Sequence, residues 1–172
     1  MPDAASTRDR LLDAFEQVLI DHGSRAATLD AVAAAAGVSK GGLLYHFPNK
    51  AALEAGQRER LRALGEADLA AMTAAPEGAA DYYLVESTSS GGALDRALIA
   101  AARLSEEAGE HDSVLDDLRA AWYHALLTEL GDPALAHVIQ LVGDGMYYNA
   151  VAGSRDEGAL EHAREILSRL RG

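Results

Sequence analysis

The sequence contains no cysteine, only two lysines, two phenylalanines and one tryptophan. Without cysteine, disulfide bonds, thiolate metal sites and cysteine nucleophiles are excluded. No apolar run approaches the length of a membrane span, and the N-terminus lacks the apolar core of a signal peptide. Runs of β-branched residues are missing too, whereas the helix formers alanine, leucine, arginine and glutamate are abundant. We therefore expect an all-α, cytoplasmic protein with no membrane segment.

Basic residues are scarce in the second part of the chain. The 172 residues carry a formal net charge of −12, which alone argues against nucleic acid as a partner. Residues 1–75 hold 8 basic and 10 acidic residues, whereas residues 76–172 hold 7 and 17. Both lysines, Lys40 and Lys50, lie in the first part. The acidity thus belongs to the second part, and the first part is able to present a local positive face.

Apolar periodicity and capping residues predict nine helices. The first helix shows one apolar stripe, Thr28, Ser39 and Asn49 are suitable N-caps, and Gly23 and Gly37 are suitable C-terminal stops. The predicted ranges are 7–22, 29–36, 39–47, 50–74, 78–88, 93–108, 112–130, 133–152 and 157–170. Four helices within the first 75 residues, two of them short, predict a compact head followed by a larger helical body.

The spacing of Ala33, Gly37 and Leu43 is typical of a helix-turn-helix, in which a small residue lets two short helices cross and a glycine adopts the left-handed turn. Gly41 and Gly42 lie inside the second short helix, where each costs about 1 kcal/mol against alanine. Such glycines favour a helix whose backbone approaches another surface closely. Lys50 begins the next helix, where a phosphate would meet both its ammonium and the free backbone N–H groups.

Residues 37–53, which read GVSKGGLLYHFPNKAAL, resemble the DNA-binding signature of TetR-type (tetracycline-repressor-like) transcriptional regulators. The similarity extends upstream through residues 11–15, Gly23 and residues 27–33. The resemblance implies a three-helix helix-turn-helix head at residues 1–52. A long helix joins this head to a helical ligand-binding and dimerisation body at residues 53–172. Two residues depart from the family pattern. Gly42 stands where threonine or serine is frequent, and Leu44 stands where tyrosine is frequent.

The resemblance also implies the roles of individual residues. Lys40 would donate to guanine in the major groove, Leu44 would contact a thymine methyl group, and Gly41 and Gly42 would permit close approach. Leu43 and Phe47 are expected in the core instead. The residues predicted to contact DNA, as part of the reading helix or through phosphates, are Thr28, Ser39, Lys40, Gly41, Gly42, Leu44, Tyr45, His46 and Lys50. Substitution of either lysine by alanine is expected to weaken DNA binding with little effect on stability.

The last two helices are expected to form a homodimer interface, because the first of them is apolar on more than one face. Such a dimer would bind a pseudo-palindromic double-stranded DNA operator. Trp122, Met146 and Tyr147 are predicted to line a site for a small-molecule effector, whose binding would release a repressor from its operator. No cofactor and no metal site are expected.

Two other functions compete with this interpretation. An enzyme would need one of the histidine–carboxylate groups His111–Asp112, His124, or His137 with Asp144. None of them has the spacing of a helical metal pair or accompanies a recognisable nucleophile, so we expect no enzyme. The second alternative is a helical protein-interaction module with a vestigial DNA-binding head.

Overall fold

The computed structural model describes residues 6–108, 113–154 and 158–171, and helices are the regular elements of this part of the chain. The predicted all-α fold is confirmed. Most helix ends lie within two residues of the predicted ends, because local caps and breakers determine them. The helices are α1 (Thr7–His22), α2 (Leu29–Ala36), α3 (Lys40–His46), α4 (Lys50–Ala74), α5 (Ala79–Glu86), α6 (Ala93–Ala108), α7 (Ser113–Leu130), α8 (Pro133–Val151) and α9 (Ala159–Arg171).

The chain divides into two compact units. The first unit contains the residues up to Leu64 together with Gly92–Asp116, and the second contains Gly65–Gly91 and the residues from Asp117 onward. The first unit therefore holds α1, α2, α3, the first part of α4, and α6. The predicted domain boundary at residue 52 stays a prediction. His111 and Asp112, one of the suggestive histidine–carboxylate groups, lie outside the described residues.

One apolar core holds the first unit together. The stripe of α1 supplies half of its large side chains, and α6 contributes two apolar residues to the same cluster. Burial of this much apolar surface is the main favourable term for the fold of the head. The core residues are Leu11, Leu12, Ala14, Phe15, Val18, Leu19, Ala27, Val32, Ala33, Leu43, Phe47, Leu53, Ala100 and Leu104.

The turn between α2 and α3 has the geometry predicted from its spacing. Gly37 has φ 66° and ψ 33°, the left-handed conformation that glycine adopts without strain. The backbone N–H of Val38 donates to the carbonyl oxygen of Ala33 at 3.0 Å, which closes the end of α2. Ala33 is buried where α2 and α3 cross, and the fully buried side chain of Leu43 anchors α3 in the core. These contacts set the direction in which the outer face of α3 points.

In the second unit, α5 is held by polar side chains of its neighbours. Arg164 of α9 donates from Nε and Nη2 to the two carboxylate oxygens of Asp81 at 2.6 and 2.7 Å. Glu129 of α7 accepts a hydrogen bond from the backbone N–H of Ala80 at 2.9 Å. Its carboxylate therefore caps the N-terminus of α5, where the helix dipole favours negative charge. Within the described residues, no helix is both long and apolar enough to pass through a lipid bilayer.

Helices α5 and α8 approach closely at Gly143. A Cβ atom on Gly143 would lie 2.4 Å from Cε1 of Tyr83 and 3.0 Å from Oγ of Ser87. The Tyr83 ring has little freedom to move away, because its hydroxyl donates to Asp144 at 2.8 Å.

We expect Gly143→Ala to lower the free energy of unfolding by about 1–3 kcal/mol, because overpacking outweighs the gain in helix propensity. Chemical denaturation measures the change. The control is Gly41→Ala, whose added Cβ would lie 4.0 Å from Ser39 Oγ. This variant should equal or exceed the wild type in stability. Equal effects of the two substitutions would contradict the packing described for Gly143.

Candidate functional site

The outer face of α3 is exposed along its whole length. Leu43 is fully buried and anchors the helix, whereas Lys40, Gly41, Leu44 and Tyr45 face solvent. Leu44 is 38% exposed and Tyr45 is 86% exposed, which are high values for large apolar and aromatic side chains. We call these four exposed residues the α3 face. The structure thus brings together the side chains that the sequence analysis assigned to the reading helix.

Of the two glycines of α3, Gly41 is not required by the packing of the head, whereas a side chain at Gly42 would press on the capping hydroxyl of Ser39. A Cβ on Gly41 would only reach ordinary contact distance, 4.0 Å from Ser39 Oγ, and one on Gly42 would lie 3.3 Å from the same atom. The absence of side chains there leaves bare backbone beside Lys40. A flat, accessible backbone of this kind permits close approach by another molecule.

Two predicted contact residues act as helix caps. The hydroxyl of Ser39 accepts from the N–H of Gly42 at 3.1 Å, and that of Thr28 accepts from the N–H of Ala31 at 3.2 Å. Both residues remain exposed, so a hydroxyl that caps a helix also lies at the surface. The half-buried His46 lies edge-on to Tyr45, with ring centroids 5.1 Å apart.

The two lysines differ in their surroundings. Lys40 Nζ lies 3.0 Å from Oδ2 of the exposed Asp30, a surface ion pair of small net stability. Lys50 Nζ instead donates to the carbonyl oxygen of Ser24 at 2.7 Å and to its hydroxyl at 3.0 Å. Ser24 is buried in the loop between α1 and α2. Lys50 therefore ties the start of α4 to this loop.

In the second unit, the only tryptophan of the sequence lies in a polar cluster. Trp122 Nε1 donates to Oδ2 of Asp68 at 2.8 Å, and the hydroxyl of Tyr82 donates to Oδ1 at 3.1 Å. Tyr83 packs beside Trp122 with ring centroids 6.2 Å apart. The sequence analysis selected Trp122 but missed Asp68, Tyr82 and Tyr83.

A second carboxylate completes this cluster. Asp144 of α8 accepts from the Tyr83 hydroxyl at 2.8 Å and pairs with Arg119 at 2.7 Å. Burial and the neighbouring carboxylate Asp68 raise the pKa of Tyr82 to about 12. Burial, and then Asp144, raise the pKa of Tyr83 as well. Both phenols therefore stay protonated at neutral pH and remain hydrogen-bond donors to the carboxylates.

A shallow apolar groove of about 530 Å³ lies between α4 and α7. Two of the predicted effector residues, Trp122 and Met146, are instead buried, and Tyr147 lies partly buried on α8. None of the three lines the groove. The lining residues are Leu69, Thr73, Asp117, Ala120, Ala121, His124, Ala125 and Thr128.

The histidines suggested for catalysis have other surroundings. His124 Nδ1 lies 2.8 Å from the carbonyl oxygen of Ala120, and His137 packs against the ring of Tyr123 at 4.8 Å. Among the described residues, no group of three histidine, cysteine or acidic side chains is arranged to hold a metal ion.

Comparisons with known proteins bear on the head and on the fold. Residues 11–55 match the family model for bacterial regulatory proteins of the tetR family. The repressor BepR of Brucella suis biovar 1, an HTH-type transcriptional repressor, is 42% identical over 48 residues, which cover 28% of this chain and 23% of BepR. The match thus spans about a quarter of that curated relative. The head of the chain is therefore similar to that of tetR-family regulatory proteins.

Three solved structures share the fold along nearly the whole chain. A chain described as a TetR-family regulator from Rhodococcus sp. has a TM-score of 0.66 at 18% identity, covering 98% of this chain and 100% of that one. A TetR-family member from Streptomyces coelicolor has a TM-score of 0.63 at 26% identity, with 96% and 98% covered. The multidrug binding protein EbrR, solved with imidazole, has a TM-score of 0.55 at 24% identity, with 97% and 96% covered.

In this TetR-type head, the lysine that begins α4 has a structural partner. The sequence analysis expected alanine substitutions of Lys40 and Lys50 to leave stability nearly unchanged. For Lys50 the structure supports the opposite expectation, because Ser24 would lose the two hydrogen bonds that the ammonium donates to its carbonyl oxygen and hydroxyl. That Lys50 contacts a phosphate stays a prediction. Its ammonium would then have to bind Ser24 and the phosphate at the same time.

We expect Lys50→Ala to lower the free energy of unfolding by about 1–2 kcal/mol, because a charge-assisted hydrogen bond is lost. Lys40→Ala, the matched control, should change it by less than about 0.5 kcal/mol, because its ion pair is exposed. Urea denaturation of the three proteins at one salt concentration tests this. Equal stability of the two variants would show that the Lys50–Ser24 contact does not hold the head.

Proposed function

We propose that this protein is a TetR-type regulator that binds a double-stranded DNA operator through the α3 face and represses transcription. The observation that carries the proposal is this exposed surface, where Lys40, Leu44 and Tyr45 flank a backbone left bare by Gly41. Lysine is suited to guanine O6 and N7, and an apolar side chain is suited to the thymine methyl group. The similarity of the head to BepR, a repressor, supports repression as the output.

Helices α8 and α9 are suited to join two copies of the chain. Leu141 is 61% exposed and Tyr148 is 73% exposed, and a Cβ on Gly145 between them would meet nothing within 4 Å. Exposed apolar residues in a continuous set mark an interaction surface. We call this set the α8–α9 face. Its exposed apolar residues are Val138, Leu141, Val142, Tyr148, Val151, Ile166 and Leu170.

A twofold homodimer through this face supplies the second reading helix that tight binding needs. Two reading helices about 34–36 Å apart match successive turns of DNA, so the operator is expected to be pseudo-palindromic. The second part of the sequence is strongly acidic and repels DNA, which favours the head as the region of contact. We place the protein in the cytoplasm and propose no enzymatic activity, cofactor or membrane association.

The second unit is proposed to bind a small-molecule effector. EbrR, which shares the fold, is a multidrug binding protein solved with imidazole. Trp122, Tyr82 and Tyr83 combine aromatic surface with polar tips, a composition typical of small-molecule sites. Asp68 belongs to α4, the helix that begins in the head with Lys50. A ligand that displaces Trp122 or Tyr82 from Asp68 would therefore act directly on the helix that carries the head.

Two leucine substitutions separate DNA binding from dimerisation. We expect Leu44→Glu to remain dimeric and folded but to lose at least about tenfold in DNA affinity, because it places a carboxylate beside phosphates. Leu141→Glu should dissociate the dimer, because a charge would be buried at its interface. Gel-shift titration with the protein's own upstream DNA, together with sedimentation, measures both properties.

Each variant is expected to lose one of the two properties, DNA binding or dimerisation. Retained DNA affinity in Leu44→Glu would contradict the assignment of the α3 face, and an unchanged dimer in Leu141→Glu would contradict that of the α8–α9 face. If the wild type fails to bind upstream DNA while remaining a dimer, the protein-interaction module becomes the better interpretation.

Effector binding should be coupled to DNA release. Because Trp122 is the only tryptophan, its fluorescence reports a molecule that enters the Asp68 cluster. We expect compounds that change this emission, tested from imidazole through a set of aromatic amines, to weaken DNA binding about 5- to 150-fold. DNA should weaken their binding by the same factor. Compounds that bind at Trp122 and leave DNA affinity unchanged would contradict the coupling.

A further inference from the structure

An acidic side chain is completely buried in the core of the first unit. Glu16 of α1 is 0% exposed, and it follows directly after the core residue Phe15. Within the described part of the chain, neither of its carboxylate oxygens has a hydrogen-bond partner. A buried ionised carboxylate without donors is strongly destabilising, whereas a neutral carboxyl group costs far less.

Three charged groups act on Glu16, one from its own helix and one each from α4 and α6. They are Asp13 on α1, Arg60 on α4 and Arg96 on α6. Arg60 is committed to Asp13, with Nη2 to Oδ1 at 2.6 Å, and its Nε lies 3.8 Å from Oε1 of Glu16. Arg60 Nε is therefore too far from Glu16 to donate a hydrogen bond, and Asp13 adds repulsion.

Helix α6 packs against α1, the helix that carries Glu16. Ala97, Ala100 and Leu104 of α6 are buried in the first unit. Gln57 of α4 donates from Nε2 to the carbonyl oxygen of Ala97 at 2.8 Å. Its Oε1 is also buried without a partner among the described residues. The described contact between α6 and the head thus includes buried apolar side chains and the hydrogen bond from Gln57 to Ala97, and it contains unsatisfied polar atoms of α1 and α4.

We propose that Glu16 is a proton-linked switch: its neutral form keeps α6 packed on α1 and α4, and its ionisation loosens α6 from the head. The gain for the ionised group is access to water, which supplies the hydrogen bonds that the closed core lacks. The charges of Asp13, Arg60 and Arg96 set the pH at which this happens. A loosened α6 leaves the head less well preorganised for DNA.

The electrostatics place this switch near neutral pH. Burial raises the pKa of Glu16 to about 7 from an ordinary value of 4.5, with Arg60 opposing the shift and Asp13 adding to it. In the open state the carboxyl group has its ordinary pKa. The packed state therefore has its full stability below pH 4.5 and loses it as the pH rises towards 7. Above that range both states are ionised and no further change is expected.

Hydrogen exchange of the α6 amides from pH 5.5 to 8.5, corrected for the intrinsic exchange rate, tests the proposal. In the wild type the opening constant at Ala100 and Ala101 should rise on the order of tenfold to a hundredfold. Glu16→Gln, a neutral side chain of the same shape, should abolish this rise. The matched control Glu59→Gln neutralises an exposed carboxylate of α4 and should behave like the wild type. The same pH dependence in wild type and Glu16→Gln would overturn the proposal.

Direct titration gives an answer even if the variant folds poorly. Carboxyl carbon chemical shifts of the wild type should show Glu16 titrating well above pH 5, and a midpoint near 4.5 would overturn the proposal. Neither measurement uses DNA, so the result is independent of the proposed function. If that function holds, the DNA affinity of the wild type should fall relative to that of Glu16→Gln between pH 6 and 8.5, in proportion to the fraction of protein that has opened.

Discussion

The close crossing of α2 and α3 is the constraint on which the head depends. It needs a small residue at Ala33, a left-handed turn at Gly37 with φ 66°, and Leu43 filling the space below. These three residues hold α3 in place through its buried side. Its outer side therefore needs no packing contacts, and bare backbone and exposed apolar groups are tolerated there. A seven-residue helix with two glycines would not be stable alone, because nucleation is costly and each glycine weakens it. Tertiary packing supplies what its local sequence lacks.

Polar contacts of α5 organise the second unit in a similar way. This eight-residue helix has polar contacts to α4, α7, α8 and α9, through Asp68, Glu129, Asp144 and Arg164. Three of these partners are carboxylates, so part of the acidity of this unit has a structural use. Helix α5 contacts both α4 and the helices proposed to form the dimer. A structural change at the Trp122 cluster would therefore reach each of these helices through direct hydrogen bonds of α5.

Local signals predicted the helices, whereas distant contacts decided the sites. Caps such as Thr28 and Ser39 and the stop at Gly37 act within a few residues, so the sequence alone revealed them. The partner of Lys50 is Ser24, 26 residues away, and no local pattern indicates that pair. Glu16 follows Leu12 by four residues and so lies on the apolar side of α1, a signal that was present but not used. The contact of α6 with the head depends on alanines, which carry no distinctive pattern.

The α3 face is proposed to enter the DNA groove. Backbone amide chemical shifts, recorded while a duplex from the protein's own upstream region is added, locate the residues that contact DNA. We expect the largest changes at residues 39–45 and at Thr28, with the effect weakening as salt rises. Maximal changes elsewhere on the chain, or none at low salt with a folded dimer, would contradict it.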